Sequence, residues 1–391
     1  MGPIIERCCG LDVHQAVIVA CILVGKAGRK VRREVRQFAA TTAGLLALAD
    51  WLREERIEAM AMESTGVYWR PVYNVLEGEF RLIVGNAQHM KNVPGRKTDV
   101  KECEWIAELR RHGLIRASFV PPRPVRALRD LTRARAAAIR GRTAERNRLL
   151  KVLECANIKI ASVASDVFGV SGMRMLRALA EGKLPPAQIA ELAVGRLRQK
   201  LEELTLALEG SLEPHHRFLI DLHLRVLAAT DVAVEEIEAK IDEHLEPFRA
   251  EHRLLTTIPG VDTANAAAII GEIGVDMSAW GTAERFAAWA GICPGNNESA
   301  GKRRRSAVRK GNIALKTVLH GAGVSASRKK DSYFLDKHRR IKARRGPARA
   351  ASVMAHKLGK AVFHVLAKRE PYRELGAGYL DRIEPARLAK S

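Results

Sequence analysis

At Pro121-Pro122-Arg123-Pro124 the chain changes its pattern, and this break limits the fold more than any other feature. Proline donates no backbone hydrogen bond and holds the residue before it extended, so no regular element runs through such a cluster. Before it, short β-rich runs alternate with short helical stretches. After it, Ala, Leu, Arg and Glu dominate, and apolar residues recur at helical spacing. An α/β domain followed by a mostly helical region is therefore predicted. At about 150 residues per domain, 391 residues allow two or three domains. The pattern divides them at 1–120, 121–250 and 251–391.

In the first segment, residues 8–12 and 16–24 are β-rich runs joined by a short polar turn, and residues 31–38 alternate basic and apolar side chains. The spacing predicts an antiparallel meander of three strands. Thr41-Thr42 then caps a helical stretch carrying Leu45, Leu48 and Leu52. A strand ending at Glu63, a helix near 67–76, a strand at 80–84 and a helix at 99–112 complete the series. Three hairpin strands followed by alternating helices and strands match an α/β ribonuclease-H-like (RuvC-like) layout. A Rossmann domain would begin β-α-β.

Residues 121–250 carry Leu128, Leu131, Ile139, Leu149, Leu150 and Leu153 at roughly helical spacing, among charges of both signs. Leu197, Leu201, Leu204 and Leu208, and Ile237 with Ile241, repeat the pattern. Long antiparallel helices or a coiled coil are predicted, acting as a scaffold or dimerisation arm. Residues 251–391 are helical again and basic: between Gly301 and Ala350 stand 17 Lys or Arg and two acids, Asp331 and Asp336. The whole chain has 66 Lys+Arg against 44 Asp+Glu, a formal charge of +22, so this segment holds most of the excess. Such a surface calls for a polyanionic partner.

The longest apolar run, 16–24, is less than half of the roughly 20 residues a membrane helix needs. No basic stretch leads into an apolar one at the N-terminus, so no secretory signal is expected. Cys8, Cys9, Cys21, Cys103, Cys155 and Cys293 form no CxxC pair, which argues against a zinc site or a disulfide framework. A reduced, cytoplasmic, basic protein is the expectation.

Four acids stand at predicted element ends beside apolar runs: Asp12, Glu63, Asp99 and Glu102. Asp99 and Glu102 are three apart and share a helix face with Ile106 and Leu109. In a ribonuclease-H-like domain such acids converge, and converging carboxylates supply the hard oxygen ligands that two Mg²⁺ ions require. Singly, each has a plain structural reading: a turn for Asp12, a solvated strand end for Glu63, a capping-box-like pair for Asp99 and Glu102.

Two further segments carry candidate chemistry. Residues 254–274 read as a helix-hairpin-helix, whose Pro259-Gly260-Val261 turn could offer amides to a backbone phosphate, or as an ordinary tight helical hairpin. In the loop after Cys293, Ser299 is flanked by the small residues Ala300 and Gly301 and followed by Lys302, Arg303, Arg304, Arg305, Arg309 and Lys310. A serine so placed could attack phosphorus while the cations hold the phosphodiester. The alternative is a loop serine beside a solvated or non-specific nucleic-acid patch, and no adjacent His or Asp is an obvious base.

These constellations resemble the DEDD transposases of bacterial insertion sequences, the one-ten and eleven-eleven groups. The resemblance rests on Gly-Leu-Asp-Val-His (10–14), Met-Glu-Ser-Thr-Gly-Val-Tyr-Trp (62–69), Pro-Gly-Arg-Lys-Thr-Asp-Val-Lys-Glu-Cys-Glu-Trp-Ile-Ala-Glu-Leu (94–109), Thr-Ile-Pro-Gly-Val (257–261) and Asn-Glu-Ser-Ala-Gly-Lys (297–302). It implies a RuvC-like domain holding Mg²⁺ through Asp12, Glu63, Asp99 and the residue at 102, a dimerising helical middle, and a C-terminal domain whose nucleophile is Ser299. It further implies an RNA-guided recombinase acting on donor and target DNA, assembled as a dimer or tetramer with composite active sites. The fourth acid is usually aspartate in this family and is Glu102 here; Glu104 lies on another helix face. Two rival readings follow: a RuvC-like structure-specific DNA endonuclease without serine chemistry, and an inactive nucleic-acid-binding remnant.

Overall fold

The computed structural model describes residues 4–64, 66–91, 93, 101–293, 298–299, 302–303 and 311–383. The chain divides into two compact units, 1–120 and 121–391.

The first unit is built on a five-stranded mixed sheet. β1 (Arg7–Val13), β2 (Val17–Val24) and β3 (Arg32–Ala39) form the meander that the alternation predicts, followed by α1 (Thr42–Glu54), β4 (Ala59–Glu63), α2 (Trp69–Leu76), β5 (Arg81–Gly85) and the short α3 (Ala87–Lys91). The strand order is β3-β2-β1-β4-β5, with β1 parallel to β4 and β4 parallel to β5. β1 is central and covered on both faces, which explains why its apolar residues run on without alternating. On one face Cys9, Leu11, Ile18, Met60 and Met62 pack against Leu45, Leu48 and Leu52 of α1. Each such leucine contributes about 1.5–3 kcal/mol by leaving water. Thr41 caps α1, accepting the Gly44 N–H at 3.3 Å.

The other face carries α4 (Glu102–Arg111), with Cys8, Cys21, Leu23, Cys103 and Ala107 buried beneath it. Burial pushes the Cys8 thiol up to about 11, as suits a packing residue and not a reactive one. α4 lies directly on β1 because position 10 is glycine. A Cβ there would sit 2.2 Å from the Cys103 carbonyl oxygen and 2.3 Å from the Ala107 nitrogen. At the far end of the helix, Arg111 donates to the Ile5 and Gly25 carbonyls at 3.3 and 2.9 Å. α4 therefore runs antiparallel to β1 and brings its first residue, Glu102, to the end where β1 finishes. The helix starts three residues later than the spacing predicts. Lys101 is its N-cap, with an extended ψ of 145° and no side-chain cap, so Glu102 stands at the first helical position and not at the third position of a capping box.

Among its described residues the second unit is helical apart from one short hairpin. α5 (Arg123–Cys155) begins within the proline cluster, with Pro124 in its first turn, where a missing N–H costs nothing. Then come α6 (Ile160–Val163), α7 (Val170–Glu181), α8 (Pro186–Ala190), α9 (Leu201–Leu208) and the 31-residue α10 (Pro214–His244). α5 and α10 are antiparallel: Arg135 meets Glu238 at 2.7 Å, Arg142 meets Asp231 at 2.8 Å and Glu145 meets His223 at 2.6 Å. Leu149, Leu153, Leu176, Leu204 and Ile220 build a core among α5 to α10. The rest comprises α11 (Arg249–Thr256), α12 (Thr263–Ile273), α13 (Ala283–Trp289), β6 (Glu298–Ser299), β7 (Lys302–Arg303), α14 (Ile313–Ala326), α15 (Tyr333–Arg345), α16 (Pro347–Lys368) and α17 (Tyr379–Ile383). The first half of α5 packs on α12, where a Cβ at Gly271 would lie 3.1 Å from the Arg129 Cα. One helix thus belongs to both the arm and the C-terminal helices. Among the described residues no helix is long and apolar enough to cross a membrane.

Candidate active site

Three of the four acids fall on described residues, and the sheet positions them. Asp12 is the penultimate residue of β1 and Glu63 the last residue of β4. Leu11 pairs with Met62 in the parallel register, so Asp12 and Glu63 stand one step further on, in neighbouring strands about 4.8 Å apart. Side chains alternate along a strand, which places both acids on the face of Gly10 and Ala61, where α4 packs. Glu102 opens α4 at the same end of β1, one turn before the buried Ile106. Asp12 lies within electrostatic reach of Cys103, the next residue of that helix. All three acids are half-buried. His14, at the strand exit, brings Nε2 to 3.1 Å from an Asp12 carboxylate oxygen. Asp99 lies outside the described residues.

Glu104 serves elsewhere. Arg33 of β3 donates to it at 2.7 Å and to Glu108 at 3.1 Å. Among the described residues no group of three or more His, Cys, Asp or Glu stands close enough together to hold a metal ion. The oxygen donors of Asp12 and Glu63 have the chemistry a hard divalent cation selects, and the set reaches three or more only with contributions from elsewhere.

In the second unit Ser299 stands in β6 opposite Lys302 of β7, and Glu298 stands opposite Arg303. Arg304, Arg305, Arg309 and Lys310 lie outside the described residues. The two ends of this loop meet. A Cβ at Gly311 would lie 2.5 Å from the Gly291 nitrogen, so the chain re-enters the helical core against the point where it left. A polar cluster centred on the buried Glu272 fixes that closure. Asn312 caps α14, accepting the Leu315 N–H at 3.1 Å, and donates Nδ2 to Glu272 at 2.6 Å. Glu272, 2% exposed on α12, takes two further hydrogen bonds from Arg133 of α5, at 2.7 and 2.9 Å. That bidentate bond holds the Arg133 guanidinium more firmly in its charged form. Sequence reasoning missed Glu272, Arg133 and Asn312, because partners 139 and 40 residues apart leave no local spacing to read.

α11 and α12 form a helical hairpin whose turn lies against α14. Pro259 is buried, and Gly260, at φ +80°, faces α14: a Cβ there would sit 2.2 Å from the Ala322 carbonyl oxygen. Asp262 caps α12, accepting the Asn265 N–H at 2.7 Å, so one amide of that helix start is already bonded.

The chain matches two family models. One describes transposases of the DEDD IS110 type and covers residues 9–158; the other describes the transposase IS116/IS110/IS902 family and covers residues 252–339. A Pseudomonas aeruginosa protein named "Probable family 20 transposase" is 26% identical over 278 residues, which are 70% of this chain and 72% of that one. The first match contains Asp12, Glu63, Asp99 and Glu102, and the second contains Ser299 with its basic loop. The mixed sheet with its acids, followed by a helical region bearing this loop, is that of an insertion-sequence transposase. Within that class the chain belongs to the IS110 family. Membership implies DNA as partner, DNA recombination as activity and use of a divalent metal. Residues 159–251 fall in neither match.

Proposed function

We propose that the chain is an RNA-guided, Mg²⁺-dependent DNA recombinase that cuts and rejoins strands through a phosphoserine intermediate. The observation that carries this reading is the placement of Asp12 and Glu63 side by side at the ends of two parallel strands, with the start of α4 at the same edge. The strand order, three antiparallel members followed by two parallel ones, supports a ribonuclease-H-like reading of the first unit. In this mechanism Asp12, Glu63, Asp99 and Glu102 hold divalent metal, which when bound polarises the phosphate oxygens. The Ser299 hydroxyl attacks phosphorus, forming a P–Oγ bond as the bridging P–O bond to the leaving strand breaks; the hydroxyl proton passes to solvent or a base, and the departing oxygen takes up a proton. A hydroxyl of a second strand then attacks the phosphoserine and releases Ser299, so no net hydrolysis occurs. Lys302 to Arg305, Arg309 and Lys310 neutralise the backbone. The turn at Pro259 and Gly260 would offer amides to a further backbone phosphate.

The family resemblance supports three further parts of the proposal: a structured non-coding guide RNA, self-association as a dimer or tetramer, and residues 121–250 as the dimerisation arm within boundaries at 120 and 250. Purified protein with its co-purifying RNA, incubated with nicked DNA and Mg²⁺, is expected to yield a protein–DNA adduct on Ser299 by mass spectrometry. Ser299→Ala should abolish the adduct and leave the melting temperature in place. Free cleaved ends at an unchanged rate in Ser299→Ala would establish a hydrolytic nuclease instead. DNA binding without any Asp12-dependent processing would establish an inactive remnant.

A further inference from the structure

α15 and α16 form a hairpin whose inner half is fastened and whose tip is not. Ser332 caps α15, accepting the Leu335 N–H at 3.2 Å, and Tyr333 and Phe334 are buried behind it. Arg340 is tied to Asp336 at 3.0 Å and to Asp381 at 2.7 Å. Beside and beyond it the character changes. Arg339, Lys342, Arg344, Arg345 and Arg349 are all exposed, and among the described residues none forms an ion pair. Elsewhere in this unit some surface arginines find carboxylates, as Arg135, Arg142 and Arg249 do, and others, such as Arg140 and Arg196, stand singly; only at the tip do five unpaired cations gather within eleven residues among the described residues.

The tip is electrostatically unfavourable as it stands. Lys342 and Arg345 are one helical turn apart, a spacing at which like charges repel. Cations in the last turn of α15 suit its dipole, whereas Arg349 occupies the first turn of α16, where the dipole opposes it. Gly346, at φ +79°, turns the chain, and α16 begins at Pro347 with neither a side-chain cap nor an acid in its first turn. Uncapped amides and unpaired cations therefore share one tip, and a bound anion satisfies both.

The cationic character continues along the hairpin. Burial, then the charges of Lys337 and Lys360, push the Lys357 ammonium down, which places these lysines of α15 and α16 near one another, although Lys360 is itself paired with Glu284. From Arg349 to Lys357 is eight residues, about 12 Å along a helix. Phosphates of one duplex strand advance about 3.4 Å each, so the stripe spans roughly three or four of them.

We propose that this hairpin tip, built from residues outside the serine-bearing loop, docks the phosphate backbone of duplex DNA. Residues 339–349 contain no aromatic side chain, so the tip offers nothing on which unpaired bases could stack. A cluster of cations without base-stacking groups fits an intact duplex backbone without regard to sequence. The surface rests on the reading of the chain as a DNA-acting transposase, and its test requires no strand cleavage.

The test measures full-length protein binding to a labelled 30-base-pair DNA duplex by fluorescence anisotropy from about 50 to 300 mM salt. Changing Arg339, Lys342, Arg344, Arg345 and Arg349 together to Gln is expected to flatten the slope of log K against log salt by about 3 to 4. Affinity near 100 mM salt should fall about 100-fold or more. A companion protein with the four arginines changed to Lys keeps the charge and should keep the slope, and both should melt as the parent does. An unchanged slope and affinity in the Gln variant overturns the proposal. A loss confined to an RNA duplex of equal length also overturns it and assigns the tip to RNA. A flattened slope without any Ser299 adduct in the parent leaves this surface standing and removes the serine mechanism; an adduct with an unflattened slope does the reverse.

Discussion

Gly10→Ala tests whether α4 carries Glu102 to the sheet edge by lying directly on β1. The new methyl would meet the Cys103 carbonyl oxygen at 2.2 Å and the Ala107 nitrogen at 2.3 Å, where ordinary contact begins near 3.4 Å. Both atoms belong to the helix backbone, so no side-chain rotation relieves the clash and the helix must withdraw by about 1 Å. Overpacking of this kind costs about 1–3 kcal/mol, and the absence of any flexible neighbour puts the expectation near the upper end. At about 4 °C per kcal/mol for a unit of this size, calorimetry should show the first unit melting about 10 °C lower. A displacement of 1 Å at catalytic groups costs about 100-fold in rate, so single-turnover strand cleavage should fall by a similar factor. Gly141→Ala is the matched control: it lies within α5 with nothing within 4 Å of the added methyl, and higher helix propensity should stabilise it by about 0.5–1 kcal/mol. Wild-type melting and cleavage in Gly10→Ala would refute the idea that the glycine sets the helix position.

Three further outcomes are expected. Glu272→Ala leaves Arg133 and Asn312 facing a hole and should cost about 3–5 kcal/mol in urea unfolding, while Glu272→Gln, which keeps one acceptor, should cost less. His320 and His356 titrate below the ordinary histidine value, through burial and then through Lys316 for the former and Lys357 and Lys360 for the latter. Below about pH 6.5 the unfolded chain takes up protons that the native one refuses, so stability falls as pH drops; melting curves between about pH 7.5 and 5.5 should show a smaller loss in His356→Gln. Glu145 is held below the usual carboxylate range by His223 and then Arg148. Its contribution is present above the ordinary carboxylate value and lost as pH falls through its lowered one, so His223→Ala should lessen acid destabilisation of the α5–α10 pair.

The proline cluster, the meander and the long helices are legible in the sequence because each is written in local spacing. Asp12 and Glu63 are legible for the same reason, as acids closing apolar strands. What brings them together is not. The adjacency of β1 and β4 is a parallel pairing across some fifty residues, and the approach of α4 depends on a missing side chain, which no hydrophobic pattern records. Helical spacing from Asp99 to His112 does not reveal that α4 begins at Glu102, because the extended backbone at Lys101 sets that start. At Gly260 the close approach of Ala322 depends on a missing side chain, and no local spacing in the sequence records it.

The contact of Gly291 with Gly311 has a consequence for how such enzymes diversify. Because the segment between them departs and returns through one point, residues can be added or removed there while the surrounding helices keep their register, and closure entropy rises only slowly with length. Grafting the corresponding stretch from a relative is thus expected to leave the closure at Gly291 and Gly311, and the helices that flank it, in place.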